Sequence, residues 1–261
     1  MNLIDICANL THDAFDEDRD AVLERAREAG VGRLVITGAD EAGSRQALAL
    51  ARRDPASLRA TAGVHPHAAE DASPGVIDTL REFAADSLVA AIGETGLDFN
   101  RDFSPREVQE RLFERQLALA AENGLPVFAH QRDAHERFMA ILRPWRQHIG
   151  SIVVHCFTGT EAELADYLAL DCHVGVTGWI CDERRGHHLR EFIGQVPLDR
   201  LMIETDAPYL LPRNLKPKPR SRRNEPAHLP HIAEAVAAAR GESVEALAAG
   251  TTATAERFFG L

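Results

Sequence analysis

Residues 104–130 read SPREVQERLFERQLALAAENGLPVFAH, and the change of pattern inside this stretch decides the fold. Ser104-Pro105 suits the opening of a helix. Leu112, Gln116, Leu117, Leu119 and Ala120 then recur at helical spacing, and Asn123-Gly124 suits the stop. Pro126–His130 follows at once, with Val127-Phe128-Ala129 continuously apolar. A strand buried on both faces of a parallel sheet has that pattern. The same unit recurs along the chain. The other strand-like runs are Leu3–Leu10, Arg33–Thr37, Leu58–Val64, Leu88–Gly93, Ser151–Phe157, His173–Gly178 and Leu201–Glu204. Helical spacing also marks Asp18–Ala29, Glu161–Leu170, Glu183–Ile193 and His228–Ala239. Eight strands alternating with helices predict an α/β fold, a single (β/α)8 barrel over residues 1–261. The alternative is an open doubly wound sheet. No G-x-G-x-x-G follows the first strand, which favours the barrel.

The 261 residues are 45% hydrophobic and 26% charged, enough apolar material for a substantial core. No apolar run approaches the roughly 18 residues of a membrane span. The first residues, Met1-Asn2-Leu3-Ile4-Asp5, lack the basic region of a secretory signal. Cys7, Cys156, Cys172 and Cys181 have no C-x-x-C spacing, so a reduced, cytoplasmic chain is expected. The formal net charge of −11 repels nucleic acid overall, and such a substrate requires a local basic patch.

In a barrel the active site forms at the C-terminal ends of the strands. Five of those ends carry ionisable groups: His65-Pro66-His67, Glu94 through Asp98, His130, His155, and Glu204-Thr205-Asp206. Acids and histidines directed at one point are costly without a cation. We therefore expect a metal centre at Glu94, His130, His155 and Asp206. Mixed nitrogen and oxygen donors suit zinc or manganese, and an open carboxylate site also holds magnesium. Asp206, arriving from the last strand, either ligates the ion, deprotonates the attacking water, or does both. His65 is placed to bind a substrate oxygen, or else is a structural residue of its Pro66 turn.

Arg213 to Arg223 holds six basic residues in eleven positions and no acid. Arginine pairs with phosphate bidentately, which favours a phosphorylated or polynucleotide substrate. The competing reading is a loop neutralised by acids elsewhere on the surface, with Glu225 orienting its arginines. Phe99, Phe157, Trp179 and Tyr209 are candidates to stack on bases, or are core residues.

These motifs together resemble the TatD family of metal-dependent nucleases. The carriers are Thr61 through His67, Ile92 through Phe99, His130 through Ala134, Val154 through Gly159, Ile203 through Leu210 and Arg222 through Pro226. The resemblance runs nearly end to end. It implies a TIM barrel related to the amidohydrolases and Mg2+-dependent 3′→5′ exonuclease action on single-stranded DNA and RNA. It further implies a role in repair after oxidative damage, and a monomer. By position, metal binding falls on Glu94, His130 and His155, with Asp206 from the last motif. The family's histidine near the substrate phosphate falls on His65; the reading of the basic loop itself adds Arg222 and Arg223 as residues that grip phosphates. Most relatives carry D-x-H-x-H after the first strand. Here Asp5-Ile6-Cys7-Ala8-Asn9 puts Cys7 and Asn9 in place of both histidines. Asn9 can still offer a neutral oxygen to substrate or metal, and a weaker metal site is expected. Fold alone leaves a second chemistry open: another metal-dependent hydrolase, acting on an amide, a lactone or a base. A non-catalytic binding module is the third reading.

Overall fold

A computed structural model describes residues 2–261. All eight runs read as strands are strands: β1 (Leu3–Ala8), β2 (Val31–Ile36), β3 (Leu58–Ala62), β4 (Val89–Asp98), β5 (Val127–Arg132), β6 (Ile152–Val154), β7 (His173–Val176) and β8 (Leu201–Ile203). They make one sheet in the order β1 to β8. Ala8 and Ala207 form a parallel bridge between the ends of β1 and β8. The fold class is the (β/α)8 barrel. The helices are α1 (Arg19–Glu28), α2 (Glu41–Ala51), α3 (Val76–Ala84), α4 (Arg106–Asn123), α5 (His135–Leu142), α6 (Glu161–Ala169), α7 (Leu189–Phe192), α8 (Leu229–Arg240) and α9 (Val244–Phe259).

By contact density the chain groups into two compact units. One holds residues up to Val35, Cys156–Ala165 and His173–Leu261. It contains β1, β7, β8 and almost all of β2. Its core is built from Leu3, Ile6, Leu10, Phe15 and Leu34, all essentially inaccessible. The other holds Ile36–His155 and Asp166–Cys172, with β3 to β6 and α2 to α5. Here Phe113 stacks on Phe138 at 4.9 Å, and Phe138 meets Tyr167 edge-on at 6.0 Å.

Helix α4 ends where the sequence places its stop. Gly124 takes φ +66°, which glycine adopts without a Cβ penalty. Two departures from the sequence reading stand out. Strand β4 runs to Asp98 rather than ending at Gly93. The stretch Glu183–Ile193 is not one helix; only Leu189–Phe192 is α-helical. Asp182 captures the backbone there by accepting from the amides of Arg184 and Arg185. Gly186 donates its amide to Asp182 O. Such local carboxylate-to-amide bonds compete with helix.

Candidate active site

In the unit that carries β3 to β6, the ends of those strands bring Glu94, His65, His130 and His155 together. The cause lies in β4. Ile92 pairs with Val127 and Thr95 with Ala129, so Gly93 and Glu94 oppose Phe128 alone. This is a bulge, and it re-aims the side chain between its neighbours. Gly93 (φ +148°) and Gly96 (φ +140°) flank it. A Cβ on Gly93 would lie 2.1 Å from Phe128 O, and one on Gly96 would lie 1.9 Å from His130 O. Only glycine lets β4 approach β5 so closely.

Helix α4 locks the neighbouring strand ends from behind. Gln116 Oε1 accepts from Val64 N (2.8 Å) and its Nε2 donates to Val64 O (3.1 Å), immediately before His65. Gln109 Oε1 accepts from Asp98 N (2.9 Å), while its Nε2 donates to Ser104 O (2.8 Å). Both amides are buried. The helix that predicts the fold thus also positions the site.

One carboxylate oxygen is the centre of the cluster. Glu94 Oε1 lies 2.7 Å from His155 Nε2, 3.1 Å from His130 Nδ1 and 3.3 Å from His65 Nε2. Burial opposes the charge on Glu94, but His155, His65 and His130 outweigh it and hold the carboxyl well below its usual range. Asp98 stands behind. Its Oδ2 lies 2.6 Å from His67 Nε2 and 3.4 Å from His130 Nε2. Burial raises the Asp98 pKa, yet the nearby His130 imidazole and the hydrogen bonds from His67 and the Arg101 amide bring it far below normal.

These contacts test whether a cation fits. His130 Nδ1 lies 3.1 Å from Glu94 Oε1 and 3.4 Å from His155 Nε2, while its buried Nε2, 3.4 Å from Asp98 Oδ2, completes no hydrogen bond. A buried ring nitrogen left unpaired among acids and imidazoles carries a cost that a proton or a metal ion relieves. Burial lowers the His130 pKa, and the negative charge of nearby Asp98 and Glu94 more than compensates, so it is raised. Glu94 Oε1, His130 Nδ1 and His155 Nε2 lie 2.7 to 3.4 Å from one another. The residues therefore fit a divalent ion. His65 itself differs. Its Nδ1 accepts from His67 N at 3.0 Å, so neutral His65 keeps its proton on Nε2. Burial drives its pKa down to about 3. His65 is thus a neutral donor, suited to a substrate oxygen rather than to ligation.

The β1–β8 unit places Asp206, Asn9 and Cys7 together. Asp206 Oδ1 accepts from Asn9 Nδ2 at 2.9 Å and lies 3.5 Å from Cys7 Sγ. The Asp206 amide donates to Cys7 O, and the residue has φ +53°. Asn9 thus directs its amide nitrogen at Asp206. Beneath it, buried Asp5 accepts from Thr205 N (2.9 Å) and Cys7 N (3.2 Å), and burial lifts its carboxyl to about 7.

The basic loop divides in two. Arg222 is exposed, as are Lys216, Lys218 and Arg220. Arg223 is engaged: Nη1 and Nη2 each lie 2.8 Å from Asp18, and Nη2 lies 2.7 Å from Glu225. Arg25 completes the cluster through Glu225 at 2.8 Å. Buried Asn224 fastens the loop by donating to Thr205 O. For Arg223, the neutralised-loop reading describes the contacts. Hydrogen bonds from Arg223, then Arg25, lower the Asp18 pKa to about 2. Because the folded value is depressed, this contribution is present above about pH 4 and lost as the pH falls through about 2. Arg223→Met is expected to lower stability by about 1 kcal/mol at neutral pH, a cost that shrinks in molar salt and toward pH 2. Thermal melts at each condition check it; equal melts at neutral pH and low salt would remove the cluster as a stabilising element.

Of the four aromatic candidates, Phe157 is a core residue, 3% exposed, packed edge-on to Phe192. Phe99 lies under the Arg106 guanidinium at 4.4 Å, and Trp179 under that of Arg185 at 4.2 Å. Tyr209 is exposed, with its ring 5.7 Å from that of His12. Sequence reasoning did not single out His67 and Asp98 as site residues. The H-P-H and G-L-D triplets at the same strand ends carried the signal.

A (β/α)8 fold with a carboxylate–imidazole cluster at its strand ends defines a metal-dependent hydrolase. The chain belongs to the TatD family of nucleases: residues 4–260 match the family described as TatD related DNase. It is 54% identical over 259 residues to the 3′-5′ ssDNA/RNA exonuclease TatD of Erwinia amylovora, covering 99% of this chain and 100% of that protein. Among solved structures it is similar to a TatD homologue from Escherichia coli K12, with TM-score 0.91 and 28% identity over 100% of this chain and 98% of the other. It is also similar to a TatD family hydrolase from Entamoeba histolytica, with TM-score 0.88 and 27% identity over 99% and 98%. Among the described residues no helix is long and apolar enough to cross a membrane.

Proposed function

We propose that this enzyme is a Mg2+-dependent 3′-5′ exonuclease that hydrolyses phosphodiester bonds of single-stranded DNA and RNA, with Mn2+ or Zn2+ able to replace Mg2+. The observation that carries the reading is the single Glu94 oxygen faced by three imidazole nitrogens. The name of the Erwinia amylovora relative supports the polarity and the substrate. Glu94, His130 and His155 hold the ion, with Asp206 as a further ligand or as base. Bound there, a divalent ion neutralises phosphate charge and makes water acidic enough to attack at neutral pH.

The chain's own residues do the rest. Asp98 holds His67 by a hydrogen bond and faces His130 with its charge. Asp206, oriented by Asn9, takes the proton of the attacking water. As the new P–O bond forms, the P–O3′ bond of the penultimate nucleotide breaks. The departing 3′ oxygen takes a proton and the terminal nucleotide leaves with its 5′ phosphate. His65 donates its Nε2 proton as a hydrogen bond to a phosphate oxygen. Arg222 and the exposed lysines attract the strand, and Arg223 holds their loop in place. The enzyme acts as a single-domain cytoplasmic monomer in the repair of oxidised DNA.

Digestion of 3′- and 5′-labelled oligonucleotides, as DNA and as RNA, with Mg2+, Mn2+, Zn2+ or EDTA tests this. Stepwise metal-dependent loss from the 3′ end is expected. No cleavage with any metal would overturn the nuclease reading in favour of an amide or lactone hydrolase.

A further inference from the structure

Phe103 is 63% exposed and takes no part in the chemistry described above. A lone exposed phenylalanine is ordinary on a protein surface. Two features set this one apart. Its ring packs edge-on to His67 at 4.8 Å, and His67 packs on His65 at 4.2 Å. Phe103 is therefore two ring contacts from the phosphate-binding histidine. The loop that displays it is also held on every side. Asp98 Oδ1 accepts from the amides of Asn100 and Arg101 at 2.9 and 2.8 Å. Arg106 clasps Asp102 with two bonds, and Asn100 Nδ2 donates to Asp133 at 2.7 Å. Buried Ser104 donates to His67 O and accepts from Glu70 N, both at 3.0 Å. Gln109 closes the loop by donating to Ser104 O.

A loop this firmly tied does not fold Phe103 back into the core. It presents an apolar ring face at a fixed place beside the catalytic histidines, with exposed Arg101 next to it. We infer that Phe103 is a stacking platform for one nucleobase of the single-stranded substrate, the base of a nucleotide next to the scissile phosphate. The inference rests on the nuclease reading. A phenyl face accepts any base, because every base has a π-face, and it contributes to strand binding without reading sequence. It also favours a single strand, since a base must leave its duplex stack to reach the ring.

The test pairs two variants with modified substrates. Phe103→Ala and Phe103→Trp are surface changes whose effect on folding is small. The alanine variant is expected to raise KM for a single-stranded oligonucleotide about tenfold, the size of one lost base–aromatic stack. The loss falls on KM rather than on kcat, and tryptophan restores binding. An abasic residue, walked one position at a time from the 3′ end, should raise KM for the unaltered enzyme by a similar factor at a single position. It should add nothing in Phe103→Ala, because ring and base are two halves of one interaction. A KM unchanged by Phe103→Ala, or an abasic penalty that persists in that variant, overturns the inference while the nuclease reading stands. An enzyme that cuts no strand with any metal overturns both.

Discussion

Glu94→Gln is expected to lower kcat for oligonucleotide hydrolysis by about 10³-fold or more while the protein stays folded. Glutamine keeps the shape of glutamate and fits the bulge between Gly93 and Thr95. It removes the one charge on which His130, His155 and His65 converge at 2.7 to 3.3 Å. A cation deprived of its buried carboxylate ligand loses most of its hold. A divalent ion supplies several kcal/mol of charge stabilisation in hydrolysis, and each 1.36 kcal/mol is a factor of ten. Steady-state kinetics across a Mg2+ and Mn2+ titration, with a thermal melt alongside, give the answer. Partial recovery at high metal concentration is expected, because the imidazoles remain. A variant with kcat within tenfold of the unaltered enzyme at ordinary metal concentration would show that Glu94 does not hold the ion.

The strands that carry this site are legible in the sequence because they are short, apolar and regularly interrupted. Val127-Phe128-Ala129 and Ile152-Val153-Val154 have no polar alternation, and both are buried on the two faces of the sheet. Strand-end histidines and acids are legible for the same reason: each stands where an apolar run stops. The failures are also physical. Gly93 and Gly96 read as breakers, but they serve a bulge that continues β4 to Asp98. Nothing local separates a glycine that ends a strand from one that lets two strands approach.

Arg223 is a different case. Glu225, two positions on, is legible as a partner, but Asp18 comes from the entrance of α1, some two hundred positions earlier, and local charge density gives no notice of that pair. Arg222, its neighbour, is exposed, and the proposed attraction of the strand falls to it. Phe103 was invisible for a related reason. Whether a phenylalanine is core or platform depends on how the loop around it is tied, and Gln109 and Ser104 do that through bonds with no sequence signature.

Asp206→Asn is expected to lower kcat by about 10² to 10⁴-fold with little change in KM, the range that a positioned general base contributes. The geometry of the end of β8 argues for a role beyond structure. Asp206 sits at φ +53°, a region that aspartate tolerates better than most residues. Its amide is held by Cys7 O and its Oδ1 by Asn9 Nδ2. A side chain oriented this firmly at a strand end is prepared for a directional task such as accepting a proton. Asparagine preserves the size but cannot take up the proton. Asn9→Ala removes only the orienting bond and is expected to cost roughly tenfold, by analogy with other supporting groups around a site. The double variant Glu94→Gln with Asp206→Asn decides whether the two acids serve one reaction. Groups that act as a unit are strongly non-additive, so the pair should be little slower than the slower single variant. Losses that multiply in full would mean that each acid contributes on its own, and a kcat for Asp206→Asn within a few-fold of the unaltered enzyme would remove it as the base.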